Sequence, residues 1–361
     1  MPVTLPLFLA LAAGFVVIGV YLERKISAFI QDRMGPMEVG KWGLLQLFAD
    51  LLKLIQKEDI VPTAADRRLF LAAPLVIFTA IFAGFAVLPL GPDLTGSTAA
   101  VGVFYVLTII SVDVVGILMA GWGSNNKYSL LGAVRSVAQI VSYEIPLGLS
   151  VLCVVMICQT LDLQIISYQQ GIYSPETNYL FGLKSWGVDV SDWGGIFAWN
   201  VFRNPFLLLV YVIFFITTLA ECNRAPFDLP EGESELVGGF HTEYSGMRWA
   251  LLFLSEYAIM LLVSFLGAIL FWGSWNTPFP NIGSLRLADW TSGAPGTIWG
   301  NVTGFFWLFS KALLAVLVQM WVRWTFPRLR VDQLMFLCWK VLTPLALILF
   351  FICGFWRLGM I

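Results

Sequence analysis

Six carboxylates fall within the 24 residues from Glu221 to Tyr244: Glu221, Asp228, Glu231, Glu233, Glu235 and Glu243. The runs on either side, 205–220 and 249–272, are almost wholly apolar. An uncompensated charge at bilayer depth costs roughly 2.5–3.5 kcal/mol, so an acidic loop wedged between two membrane-length runs suggests a use for its charge. A solvated turn accounts for some of the acids. It does not account for their density beside Pro226 and Pro230, which stiffen the backbone.

Five positions, Glu221 again among them, carry charge where charge is costly. Asp113, Glu144, Glu221, Glu256 and Lys311 lie within apolar runs or at their ends. At a rise of 1.5 Å per helical residue, Asp113 sits ~13 Å in from Trp122 and Glu256 ~12 Å beyond Arg248. Glu144 sits ~20 Å from Leu131 on the same reckoning. Desolvation disfavours the charged form of a carboxyl, and a string of such groups is a natural route for protons. Interhelical hydrogen bonds or ion pairs, with Lys311 neutralising one acid, are the structural alternative. Glu23 and Arg24 close the first apolar run, where such a pair often serves only to anchor a helix at the interface.

These residues need membrane helices to position them. A chain of 361 residues that is 58% apolar and 12% charged is not a soluble globular protein. Apolar runs of about 20 residues read as membrane spans. We expect an all-α integral membrane protein, a single multi-pass domain over 1–361 with eight transmembrane helices at about 3–24, 69–90, 99–121, 131–160, 202–221, 248–272, 300–322 and 334–356. Between the first two, Leu44, Leu47, Phe48, Leu51 and Leu54 recur at helical spacing. Residues 41–58 are therefore expected as an amphipathic helix at the membrane surface or under the bundle. Met1 to Val20 has neither a basic start nor a cleavage pattern, so a retained first helix is expected.

Orientation follows from lysine and arginine. With segments 24–68, 122–135, 222–248 and 323–340 on one side, that side holds 16 of the 21 basic residues. The positive-inside rule then places the acidic loop, 222–247, in the cytoplasm and both termini on the outer side of a bacterial inner (plasma) membrane. The net charge of −2 offers no basic surface for nucleic acid. Cys153, Cys158, Cys222, Cys338 and Cys353 form no CxxC pair and read as small buried thiols. With a single histidine, His241, read as a hydrogen-bonder of the loop, a metal or haem site has little support.

The wording of the loop carries more. Ala225-Pro-Phe-Asp-Leu-Pro-Glu-Gly-Glu-Ser-Glu-Leu-Val-Gly-Gly-Phe240 resembles the signature loop of one membrane-subunit family of proton-pumping NADH:quinone oxidoreductase, respiratory complex I (the H-type family, subunit 1 in mitochondria). Gly43-Leu-Leu-Gln-Leu-Phe-Ala-Asp-Leu-Leu-Lys53, with Lys57-Glu-Asp59, is similar to a second signature of that family. The resemblance runs from about Tyr21 to Leu345.

That resemblance implies a quinone-binding membrane subunit that couples quinone reduction to proton translocation. It implies a proton path through Asp113, Glu144, Glu221 and Glu256. It also implies quinone binding or coupling at Glu23, Arg24, Arg33, Asp50, Arg224, Asp228, Glu231, Glu233 and Glu235. Quinone would be a substrate; no metal, flavin or iron–sulfur cluster is expected on this chain. Partners would be the peripheral-arm subunits at the quinone site, the adjacent small membrane subunits and membrane lipid. The sequence departs from the family at Met37-Glu-Val-Gly-Lys41, which alters charge at an expected subunit contact, and Asp113 is shorter than the Glu of many relatives. The alternative is the homologous subunit of a membrane-bound hydrogenase-type complex without quinone. The intact Glu231-Gly-Glu-Ser-Glu235 run argues against it. A free-standing ion-coupled transporter would show discontinuous helices around a midplane site.

Overall fold

The computed structural model describes residues 4–174, 177–183, 187–229, 232, 236–282 and 285–360. Among these residues the chain is all-helical, with only isolated bridges such as Pro89 to Thr95 in place of strands. Helix α1 covers Thr4–Ile30, α2 Gln46–Gln56, α3 Arg67–Phe85, α4 Gly102–Gly123 and α5 Lys127–Cys158. Short helices α6, Leu163–Tyr168, and α7, Asn200–Arg203, precede α8 at Leu207–Glu221. Then come α9, Gly246–Leu270, α10, Leu287–Thr291, and α11, Ile298–Thr325. Helix α12, Val331–Phe336, runs through a wide turn at Leu337–Leu342 into α13, Thr343–Met360.

Among the described residues, six stretches are long and apolar enough to cross a membrane: α3, α4, α5, α9, α11 and the continuous 331–359 segment. Their starts are set by local chemistry. Asp66 caps α3 by accepting from the backbone of Arg68 and Leu69, and Asn126 caps α5 by accepting from Tyr128. Pro74 and Pro146 sit inside α3 and α5 without ending them, as membrane helices allow when neighbours satisfy the freed backbone groups. Asn204 and Pro205 do break the expected 202–221 run, leaving α7 apart from a 15-residue α8. That helix is only ~22 Å long.

Helix α9 is the axis of the bundle. Every residue from Tyr257 to Leu270 is buried, so this stretch is enclosed on all sides by α1, α3, α8 and α11. Glu256 lies immediately before it, at the end of the bundle that carries the 222–247 loop. The 41–58 segment is more broken than its periodicity predicts. A single tight turn at Lys41–Gly43, with Trp42 at φ 63°, precedes the helix, which covers only Gln46–Gln56. Leu47 is buried, while Leu44, Phe48, Leu52 and Ile55 face outward.

Candidate functional site

A cavity of about 540 Å³ opens where α1, α2 and the start of α9 meet the end of the acidic loop. Its walls are apolar: Val16, Val17 and Val20 from α1, Leu47, Leu51 and Leu54 from α2, and Trp249, Phe253 and Leu254 from α9. Trp249 and Phe253 stack with ring centres 5.0 Å apart. Polar groups enter at a few points, Arg24, Asp50, Lys53, Lys57, His241 and Thr242. Size and lining suit an apolar molecule with a polar head. Arg24 Nη1 donates to Asp50 Oδ2 at 2.5 Å, joining α1 to α2 at the cavity.

Glu23 turns the other way, as successive helical residues must. It is buried, and it accepts from Arg224 Nη1 at 3.2 and 3.3 Å, from an Arg323 nitrogen and from the Tyr257 hydroxyl. The Arg224 guanidinium lies 4.4 Å over the Tyr257 ring. Its Nη2 is also 3.9 Å from Glu256 Oε2, so Arg224 stands between two carboxylates. Glu256 Oε1 meets His241 Nε2 at 3.0 Å. Four elements thus converge: α1, the start of the acidic loop, α9 and the end of α11. Buried ions are tolerated when paired and hydrogen-bonded in this way.

The remaining acids lie just behind. Glu256, Asp113 and Glu221 line one small cavity of about 20 Å³, room for about one water molecule. Glu144 and Asp113 are the charged neighbours of Glu221, and Ser111 faces Glu144. Among the described residues, Asp113 Oδ1, Glu144 Oε1 and Glu221 Oε2 are buried with no hydrogen-bond partner. Of the four acids expected from sequence to lie at graded depths, three therefore share one cavity, with Glu144 in electrostatic reach of Glu221. The end of α8 is pinned beside them by Gln139, whose Nε2 donates to Ala220 O at 2.7 Å and Asn223 Oδ1 at 3.2 Å.

The start of the acidic loop, through Asp228, is docked against the segment after α11. Asp228 is buried, and Arg328 Nη2 donates to its Oδ2 at 2.9 Å, while Leu329 N donates to Pro226 O at 3.0 Å. Burial pushes the Asp228 carboxyl up from its ordinary value, and Arg328 and Arg323 pull it only part of the way back. At the cavity wall, Tyr244 stacks on Phe70 with ring centres 4.2 Å apart and donates to Phe70 O; burial pushes its phenol up as well. Glu231, Glu233 and Glu235 lie outside the described residues.

Two charges singled out from the sequence stand apart, one an expected site residue and one the counter-ion of the structural alternative. Arg33 is exposed and donates to Gln31 Oε1 at 2.7 Å, away from the Glu23 cluster. Lys311 neutralises none of the acids. At the opposite end of α9 it donates to Ser274 O at 2.9 Å and Asn276 O at 2.6 Å, with its ammonium 4.2 Å from the Trp199 ring centre. Three residues of the network were not singled out by sequence: Tyr257, Arg323 and His241, the last read only as a loop hydrogen-bonder. A polar residue directly after Glu256 in an apolar run, and a cation ending the 300–322 run, were the available signals. All five cysteines are buried. No group of three or more His, Cys, Asp or Glu side chains is placed to hold a metal among the described residues.

The NADH dehydrogenase family matches residues 3–354, nearly the whole chain. The chain belongs to that family. A Cytophaga hutchinsonii protein, named as an NADH-quinone oxidoreductase H subunit (the second of that name), is 64% identical over 356 residues, 98% of each chain. The NADH-quinone oxidoreductase H subunit of Chlorobium luteolum is 54% identical, covering 94% of this chain and 84% of its own. Its counterpart in Bacteroides fragilis is 40% identical, covering 94% and 86%. These matches agree with the resemblance read from Ala225–Phe240 and Gly43–Lys53. With six membrane-length apolar helices, this family member is a multi-pass membrane protein.

Proposed function

We propose that this chain is the quinone-binding membrane subunit of a proton-translocating NADH:quinone oxidoreductase, as the names of its relatives suggest. The observation that carries this reading is continuity. The apolar cavity adjoins the network Glu23–Arg224–Glu256–His241, and Glu256 is also a wall of the small cavity shared with Asp113 and Glu221. The quinone head lies near Arg24 and Asp50, and its tail lies along the Val16–Val20 and Trp249–Leu254 walls. Quinone reduction consumes two electrons, supplied by partner subunits, and two protons. Redistribution of charge at the head is felt by the paired ions around Glu23 and passed to Glu221, Asp113 and Glu144, which load and release protons. Asp228, Glu231, Glu233 and Glu235 tune that response from the loop. Arg33, exposed after α1, belongs to the same quinone-binding and coupling set.

The same reading includes α1 and α8 as spans, eight in all, and α2 as a helix lying along the interface. The loop end faces the cytoplasm of a bacterial inner membrane, and both termini lie outside. A photoactivatable short-chain quinone, applied to the intact complex, tests the site. Label is expected in peptides spanning Val16–Arg24, Leu47–Leu54 and His241–Leu254, displaced by excess unmodified quinone. Displaceable label confined to other peptides would refute it.

A further inference from the structure

We propose that His241 is the proton relay between the large cavity and the buried carboxylates. The proposal deepens the quinone-site reading and rests on it. His241 belongs to both compartments: it lines the 540 Å³ cavity, and its Nε2 lies 3.0 Å from Glu256 Oε1. Glu256 in turn lines the smaller cavity with Asp113 and Glu221. Imidazole suits this position because each of its two nitrogens can bind a proton. A proton taken up at Nδ1 is matched by one released from Nε2 to the Glu256 carboxylate, and the ring returns to neutral with its tautomer exchanged. No electron moves, and the reverse transfer follows the same atoms. Protonation of Glu256 removes a negative charge 3.9 Å from Arg224 Nη2 and shifts that guanidinium's balance toward Glu23.

The backbone holds the ring in place for this work. Gly239 adopts φ 57°, a conformation that strains any side chain. A Cβ on Gly132 of α5 would meet Gly239 Cα at 2.7 Å, so two glycines let the turn sit directly against the helix. Thr242 Oγ1 donates back to Gly239 O at 2.6 Å, and the Phe240 ring lies 4.0 Å from the imidazole centre. The turn before α9 is built to fix the direction of His241.

The test uses the intact complex in proteoliposomes, with rates normalised to NADH oxidation by ferricyanide as a measure of assembled enzyme. Under the relay, His241→Gln lowers quinone-dependent turnover at least tenfold while apparent quinone KM stays within twofold. Added imidazole, small enough to enter the cavity, restores turnover of His241→Ala several-fold but does not restore Glu256→Gln. Wild-type turnover and pumping in His241→Gln overturns the relay. So does a slow, assembled His241→Ala that imidazole leaves unchanged, because the ring would then be structural. If Glu256→Gln is impaired and His241→Gln is not, the relay fails while the coupling reading stands. If both variants behave as wild type, the coupling reading fails as well.

Discussion

Glu23 and Arg24 are adjacent in the chain and face opposite ways. Arg24 faces the cavity and pairs with Asp50, whereas Glu23 is enclosed by Arg224, Arg323 and Tyr257. Arg24 lines the cavity proposed for the ground-state quinone. Arg24→Ala should therefore raise apparent quinone KM several-fold with kcat nearly unchanged, the signature of lost uniform binding. Glu23→Gln should do the reverse. It keeps the shape but removes the charge holding two arginines, so kcat should fall at least several-fold with a smaller change in KM. Steady-state quinone kinetics on both assembled variants decides the matter, and identical KM and kcat effects in the two would contradict the division. Sequence singled out both residues but not their separate duties, because the partners of Glu23 lie 201, 234 and 300 positions away.

At the scale of elements, the site depends on how closely loops approach helices. Gly132 and Gly239 meet with no room for a methyl group. Gly132→Ala should cost about 1–3 kcal/mol by overpacking. It should appear as a lower inactivation temperature and slower quinone turnover, through displacement of the His241 turn. An unaltered inactivation temperature with normal turnover would show that the contact yields freely. The loop from Asp228 is tied to the segment after α11 by Arg328 and by the Leu329–Pro226 backbone bond. Arg328→Ala leaves buried Asp228 without its nearest cation, so the buried Phe227–Asp228 bond should become accessible to limited proteolysis in detergent-solubilised complex. Equal cleavage rates in variant and wild type would argue that the ion pair does not hold the loop down.

Taken whole, the molecule separates two charged regions along the length of α9. The Glu23–Arg224–Glu256–His241 network lies at the start of the helix and Lys311 near its far end, under Ser274 and Asn276. On the orientation proposed from the Lys/Arg asymmetry, the first end faces the cytoplasm. Single cysteines introduced at Asp59 and Asp189 should accordingly react with a membrane-impermeant maleimide from opposite sides, Asp59 from inside. Labelling of both from one side would invert or break the topology, while the five native cysteines are buried and should stay silent.

What the chain determined by itself was type and rough position. Apolar runs of membrane length declare helices, a Lys/Arg imbalance declares sides, and carboxylates placed in apolar surroundings declare a cost that must be met. Two long motifs declared the family, and the family match over residues 3–354 agrees. Periodicity also foretold α2, though not its late start after the turn at Trp42, where a left-handed backbone leaves no mark in a hydrophobic pattern. Pairing was decided only by the tertiary structure. Depth along a helix can be counted from residue number, but rotation about its axis and the choice of neighbour come from packing against other helices. For that reason the sequence could place Asp113 and Glu256 inside their runs and Glu221 at the end of one, yet only the fold could gather them around one small cavity, set His241 against Glu256 and leave Lys311 at the far end of α9.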